Sequence, residues 1–87
     1  MPKIRPDVAA SRALEARALG TRLAAARSSA GLSQSDAARA LAVPQSQIAK
    51  VELGLRQLPF VEGLRLAALY SIAPEDLAPA GDEPVPE

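Results

Sequence analysis

The 87-residue chain contains no cysteine and no histidine. Their absence excludes disulfide bonds, zinc fingers and every form of catalysis that depends on a thiolate or an imidazole. The longest apolar runs are only a few residues, far shorter than a membrane span. The N-terminal stretch also lacks the apolar segment of a secretory signal. We therefore expect a cytoplasmic protein with no membrane partner.

Two further absences argue against an enzyme. The sequence has no Gly-rich loop that could cradle a phosphate-bearing cofactor. The acidic residues cluster mainly at C-terminal positions, and their spacing does not suggest a paired acid and base. We expect no catalytic activity, no cofactor and no bound metal.

Alanine accounts for much of what is present. Hydrophobic residues make up 48% of the chain, which is enough for a globular core, yet there is one Phe, one Tyr and no Trp. Alanine is the strongest helix former, and β-branched residues are scarce, so the composition predicts an all-α fold. The length allows one domain at most.

The net charge of zero conceals an uneven distribution. Residues 1–56 contain nine Lys or Arg against four acids, a net charge of +5. Residues 57–87 contain one Arg against six acids, a net charge of −5. Such asymmetry fits a protein with one face that meets a polyanion, and it fits an ordinary solvated surface equally well.

Helix start and stop signals divide the chain. Gly20 predicts an interruption between two helices, and Gly31 predicts the end of the second one. Ser33 with Asp36 predicts a capped start, and Pro44 suits the first turn of the next helix because its missing N–H would be unpaired there. The predicted helices lie at about 7–18, 19–30, 34–41, 44–53 and 59–70, with a single helical turn at 74–77.

We divide the chain into three parts. Residues 1–18 form an N-terminal extension that we predict to be helical, and residues 19–78 form the domain proper. Residues 79–87 are rich in proline and acid, and we expect them to be disordered.

The helix predicted at 44–53 has two different faces. Ile48 and Val51 fall together on a helical wheel and predict a buried face. The other face carries small and polar groups suited to base edges, since Gln pairs with adenine, Lys approaches guanine, Ser is adaptable and an Ala methyl meets the thymine methyl. The predicted base-reading residues are Gln45, Ser46, Gln47, Ala49 and Lys50.

Two short helices across a tight turn form the helix-turn-helix plan, whose second helix enters the major groove of double-stranded DNA. Gln34 stands in the first turn of the preceding helix, where its side chain and free N–H groups can hold a phosphate. Alternatively, Gln34 is simply a polar residue near a capped helix start. The predicted phosphate contacts are Gln34, Ser35, Arg39, Arg56 and Gln57.

Residues 19–77, LGTRLAAARSSAGLSQSDAARALAVPQSQIAKVELGLRQLPFVEGLRLAALYSIAPEDL, resemble the lambda-repressor-like, or XRE-type, helix-turn-helix family. The resemblance rests on Arg27 before GLSQ at 31–34, on Ala38 and Ile48, and on Glu52-x-Gly54 before a closing apolar helix. It implies a five-helix domain without a sheet, here with an extra N-terminal helix. It also implies binding to operator DNA, usually as a twofold homodimer, by a nucleoid-associated protein.

The resemblance also assigns roles to individual residues. It implies that Gln34 holds a phosphate and that the loop at 54–57 meets the DNA backbone. It implies that Arg27 and Glu52 form a structural salt bridge. The base-facing residues that it implies are Gln45, Ser46 and Lys50.

Four positions depart from the family pattern, and one of them is Ser71, which replaces a frequent glycine. Ala42 occupies a turn position where glycine is frequent, so the turn either tolerates a strained alanine or differs in shape. Ala37 replaces the more usual leucine. Leu53 stands where a polar residue is common, and we expect it to pack on the N-terminal helix, to contact a partner, or simply to be exposed.

Two functions follow as hypotheses. The first is a DNA-binding transcription regulator, a repressor or autoregulatory factor, that binds a pseudo-palindromic operator as a homodimer. Its dimer surface would be the loop at 53–61 with the turn at 74–77, or else the helix at 7–18. The second is an antitoxin or interaction module that holds a protein partner, for which Leu53 and the acidic C-terminal third argue.

Overall fold

The computed structural model describes the backbone of residues 6–77 and the side chains of residues 12–77. Within this part, the all-α class is confirmed and no strand is present, whereas the predicted count of five helices is not confirmed. The predicted tail at 79–87 lies outside the described residues. No helix within 6–77 is both long and apolar enough to cross a membrane. The elements are α1 (Pro6–Ser29), α2 (Gln34–Leu41), α3 (Gln45–Glu52), α4 (Phe60–Tyr70) and a 3-10 turn (Pro74–Leu77).

The predicted interruption at Gly20 is wrong. The two helices expected at 7–18 and 19–30 are one continuous helix, α1, and Gly20 is buried near its middle. A Cβ atom on Gly20 would collide with the backbone of α3, including the carbonyl oxygen of Val51 at 2.6 Å and that of Glu52. The glycine therefore permits the close approach of two helices, and its cost of about 1 kcal/mol in helix propensity does not break α1.

Each α-helix ends in the same way. A residue one or two positions past the helix takes a left-handed conformation, with φ between 57° and 76° at Gly31, Ala42, Gly54 and Ser71. The residue after it donates its N–H to the carbonyl five positions earlier, as Val43 does to Ala38 at 3.0 Å. Of the two alternatives for this turn, a strained alanine or a different shape, the structure has the strained alanine. In the left-handed conformation the Ala42 side chain meets a steric penalty that glycine avoids.

The core lies where all four α-helices meet. α2 packs against α3 and α4, and α1 packs against α3. Leu23 of α1 and Leu66 of α4 are fully buried at its centre. At the start of α4, Leu58 packs against the core while Phe60 and Val61 remain exposed. The other buried side chains of the cluster are Ala37, Ala38, Leu41, Ile48, Val51 and Tyr70.

Candidate nucleic-acid interface

α2 is anchored at its start by a capping box. The Ser33 hydroxyl accepts the Asp36 N–H at 3.0 Å, and the Asp36 carboxylate accepts the Ser33 N–H at 2.9 Å. This backbone hydrogen bond lowers the pKa of Asp36, with smaller contributions from the Ser33 hydroxyl and from Arg39. The predicted helix start is confirmed, and it leaves Gln34 at the first position of α2.

α3 starts without such a cap. Pro44 has an extended backbone and offers no side-chain hydrogen bond to the first turn. Ile48 and Val51 are buried, as the helical wheel predicts. The opposite face points away from the core. Of the predicted base-reading residues, Gln45, Ser46 and Lys50 are exposed, whereas Gln47 and Ala49 are half-buried.

A hydrogen-bonded network joins α1, α2 and α3. The Arg27 guanidinium donates to both carboxylate oxygens of Glu52, at 2.7 and 3.1 Å, and to the Leu32 carbonyl at 2.8 Å. The side chains of Arg27 and Glu52 are only 16% and 7% exposed. The hydrogen bond to Glu52 raises the pKa of Arg27. The pair that the resemblance implies therefore lies in contact, and its geometry is bidentate.

The network extends to the predicted DNA-contacting residues. Gln34 Nε2 donates to Glu52 Oε1 at 2.9 Å, and Gln45 Nε2 donates to Gln34 Oε1 at 3.0 Å. The first turn of α2 is thereby connected to the first turn of α3 by side chains alone. Gln34, predicted to contact a phosphate, and Gln45, predicted to contact a base, therefore hold each other in position.

The remaining predicted phosphate contacts lie on two segments. Ser35 and Arg39 are exposed on α2, and Arg39 is 3.7 Å from the Asp36 carboxylate. Arg56 and Gln57 lie on the loop between α3 and α4. Arg56 lies 3.5 Å from the carboxylate of Glu62, a contact that the sequence did not indicate.

The sequence predicts the helix at 7–18 but not its position against the rest of the domain. The first half of α1 lies across the loop at 53–57: a Cβ on Gly54 would be 2.9 Å from the Arg17 Cα. Arg12 lines a groove of about 530 Å³ together with Arg56 and Gln57. The sequence carries no local signal for these contacts of Arg12 and Arg17, because they join residues far apart in the chain.

One buried polar group remains without a partner. The Tyr70 hydroxyl makes no hydrogen bond to any residue in the described part of the chain. Its burial raises the pKa of Tyr70 to about 12, and the negative charge of Glu52 adds to this shift while Arg27 opposes it. Within residues 12–77, no group of three or more acidic side chains is arranged to hold a metal ion.

Several large apolar side chains are exposed beside the motif. Leu53 and Leu55, at the end of α3, are 63% and 73% exposed. Leu53 borders a shallow groove that Ala13 and Arg17 of α1 also line. A separate set of exposed apolar side chains lies on α4 and α1: Phe60, Val61, Leu64 and Leu14.

Comparison with known proteins agrees with this geometry. Residues 18–80 match a family described as a helix-turn-helix domain. The restriction-modification controller protein C.AhdI from Aeromonas hydrophila is similar in structure, with a TM-score of 0.69 and 32% sequence identity. The match covers 75% of this chain and 94% of that one. No curated protein matches the chain. The chain therefore belongs to the helix-turn-helix family of DNA-binding proteins.

Proposed function

We propose that the protein is a sequence-specific transcription regulator, a repressor or autoregulatory factor, that binds a pseudo-palindromic operator as a homodimer. The observation that carries the proposal is the outer face of α3. The side chains of Ser46 and Lys50 on this face are exposed and make no hydrogen bond or ion pair within residues 12–77, while Ile48 and Val51 hold the other face in the core. A helix presented in this way fits the major groove.

Individual residues take different parts in base reading. Lys50 approaches guanine, and Ser46 adapts to either kind of base edge. Gln45 presents its amide to adenine from a position that its hydrogen bond to Gln34 already restricts. Gln47 and Ala49 are half-buried and flank this set. Each good base contact supplies about 1–3 kcal/mol of discrimination.

The backbone contacts set the register of α3. Gln34 and Ser35 lie at the first turn of α2, where backbone N–H groups point toward a phosphate. Arg39, Arg56 and Gln57 add contacts on either side. The ion pairs of Arg39 and Arg56 are long, at 3.7 and 3.5 Å, and surface pairs contribute about 0–1 kcal/mol. Exchange of either carboxylate for a phosphate therefore costs little.

Dimerisation follows from the size of the module. One such domain buries only about 600–1,000 Å² on DNA, so two copies with half-site centres roughly 34 Å apart are needed for tight binding. Phe60, Val61 and Leu64 offer an exposed apolar surface on α4, next to the loop and turn predicted for the dimer. Leu14 on α1 is the competing site. In sedimentation equilibrium, Phe60→Ser should dissociate the dimer and Leu14→Ser should not.

The similarity to C.AhdI supports the regulatory class. That protein is named as a restriction-modification controller, and nearly all of it is matched. We place this chain among small regulators of comparable architecture.

The first test is selection of duplexes from a random DNA pool at about 0.15 M salt. A twofold pseudo-palindrome should be enriched, and Lys50→Ala should relax the preference at one base pair of each half-site. Arg65→Ala is the matched control, because Arg65 is exposed on α4 beside the end of α2, among residues with no predicted DNA contact. Absence of any enriched sequence with folded wild-type protein would contradict the proposal.

A second candidate is a module that holds a protein partner, as an antitoxin does. The exposure of Leu53 and Leu55 at the end of α3 favours it. The two functions respond differently to substitution. Ser46→Ala with Lys50→Ala should abolish the regulator's activity, whereas a partner-holding module should lose activity only with Leu53→Ser and Leu55→Ser.

A further inference from the structure

We infer that the N-terminal half of α1 is an additional DNA-backbone site, in which Arg12 and Arg17 contact phosphates on the two sides of the loop at 53–57. The inference rests on the proposed function and deepens it by assigning residues outside the motif to the phosphodiester backbone. Neither arginine belongs to the segment that matches the helix-turn-helix family, which begins at residue 18.

Close packing fixes α1 over the loop. Gly20 lets α1 approach the carbonyl end of α3, and Gly54 lies against the backbone and the Cγ atom of Arg17. At about 100° per residue, Arg12 falls about 80° to one side of the line through Gly20, and Arg17 falls about 60° to the other. The two guanidinium groups thus flank the loop that is proposed to meet the DNA backbone.

The surroundings of each arginine support this placement. Arg17 borders a shallow groove with Leu53 and Leu55, at the end of α3. Arg12 shares its groove with Arg56 and Gln57, the two loop residues proposed to contact phosphates. The groove of Arg12 therefore gathers two cationic side chains and one amide beside a single stretch of loop.

Charge availability distinguishes these arginines from their neighbours. Arg27 and Arg56 are engaged with Glu52 and Glu62. Arg12 and Arg17 are exposed and form no ion pair within residues 12–77.

Two opposing charges lie in the same region, and one of them, Glu62, is 3.5 Å from Arg56. The other, Glu15, lines the groove of Arg12, but it lies beyond ion-pair distance of Arg12 and Arg17. Arg12, Arg17 and Arg56 outnumber these two carboxylates by one, so a phosphate approaching from the loop side meets a net positive surface. This surface supplements the modest positive charge of the motif itself, where Lys50 and Arg39 are the other exposed cations.

The proposal is tested by the salt dependence of binding to the selected operator. Each phosphate contact contributes about 0.9 to the slope of log K against log salt concentration. Arg12→Gln and Arg17→Gln should each reduce the slope by about 0.9 per protomer and, at about 0.15 M salt, weaken binding about fivefold for each phosphate contact removed. Arg65→Gln removes the same charge elsewhere and should leave the slope unchanged.

Further measurements separate charge from packing. Arg12→Lys and Arg17→Lys should retain the wild-type slope, and all variants should keep the wild-type helicity and melting temperature. The ratio of operator to scrambled-sequence affinity should stay constant, because phosphate contacts carry no sequence information. A scan can also replace single phosphates of the operator by neutral methylphosphonates. Replacements at the phosphates that Arg12 and Arg17 contact should weaken binding of the wild-type protein. The same replacements should not weaken binding of the double variant that carries both Arg12→Gln and Arg17→Gln.

The outcomes distinguish the two proposals. If the wild-type protein binds no DNA selectively, the proposed function fails and this site fails with it. If the wild type binds but the Gln variants keep its salt slope, the site at Arg12 and Arg17 is refuted while the proposed function stands. If Arg65→Gln reduces the salt slope as much as Arg12→Gln and Arg17→Gln do, the site is refuted as well. The same holds if these two variants lose the preference for the operator over a scrambled sequence.

Discussion

α2 and α3 have the same length, but different kinds of interaction hold them in place. Both are eight residues long and both are followed by a left-handed residue. α2 is closed at its start by the reciprocal hydrogen bonds of Ser33 and Asp36 and buries Ala37, Ala38 and Leu41. α3 starts at Pro44 with no side-chain cap, and its other neighbours hold it in position.

The difference separates a helix that is stabilised locally from the helix that we propose to read DNA. α2 is stabilised by interactions within a few residues of itself. α3 depends on contacts that are distant in sequence, namely the approach of α1 at Gly20 and the bidentate pair of Arg27 with Glu52. Because distant contacts hold α3, its outer face at Ser46 and Lys50 stays free for a ligand. Four substitutions and one pH titration test this division.

The largest effect should come from Glu52→Ala. It leaves the Arg27 guanidinium and the Gln34 amide without their acceptor in a mostly buried site, and breaking such a pair costs about 3 kcal/mol. Urea unfolding measures the loss. Glu62→Ala truncates the acid of the longer, more exposed pair with Arg56 and should cost less than about 1 kcal/mol. Equal losses from the two variants would show that the network does not hold α3.

Gly20→Ala should destabilise the fold by about 2 kcal/mol, since the new methyl group meets the backbone of Val51 and Glu52 and neither can move cheaply. Denaturant unfolding gives both the size and the sign of the change. If Gly20 were only a weak point in α1, alanine would stabilise the helix by about 1 kcal/mol. Ala25→Gly at an exposed position of the same helix provides the reference for propensity alone.

Ser33→Ala should cost about 1 kcal/mol, because it removes the hydroxyl that accepts the Asp36 N–H at the start of α2. Ser46→Ala makes the same change in the first turn of α3, where the hydroxyl caps nothing. It should alter the free energy of unfolding by less than about 0.5 kcal/mol. Thermal melts of the two variants compare the helix starts directly, and a similar loss in both would remove the contrast between them.

Ala42→Gly should stabilise the protein by about 0.5–1 kcal/mol, as chemical denaturation can measure. Glycine relieves the left-handed alanine at the end of α2, and part of the gain is offset by greater backbone entropy in the unfolded chain. Ala40→Gly, two residues earlier and exposed within α2, should instead destabilise by about 1 kcal/mol. A loss of stability with Ala42→Gly would mean that the turn does not strain the alanine.

The smallest effect concerns pH. The pKa of Asp36 is lowered in the folded protein, so its carboxylate stabilises the fold at every pH above its unfolded value of 3.8. That contribution is lost as the pH falls through the lower, folded pKa. In acid titrations of stability, Asp36→Asn should therefore lie below the wild type at about pH 7 and converge with it in strong acid. Parallel curves would show that the carboxylate charge contributes nothing to the cap.

The elements that could be predicted from the sequence are those whose signals are local. The cap at Ser33, the left-handed residue at Gly31 and the two faces of α3 follow from neighbours within one or two helical turns. The close approach at Gly20 and the placement of Arg12 and Arg17 beside the loop could not be predicted in this way. Each depends on which element crosses α1, and a glycine that allows a crossing has the same local appearance as one that ends a helix.

Composition and local pattern were enough to establish the helical class, the position of the helix-turn-helix and the outward face at Ser46 and Lys50, because helix propensity, capping and periodicity act over short stretches of chain. Tertiary packing was needed to establish that α1 is continuous and lies over the loop at 53–57, since contacts between helices outweigh a local cost of about 1 kcal/mol at Gly20. The same packing determines which cations near the motif are already paired with carboxylates and which remain exposed, because ion pairs such as that of Arg27 with Glu52 join residues far apart in the chain.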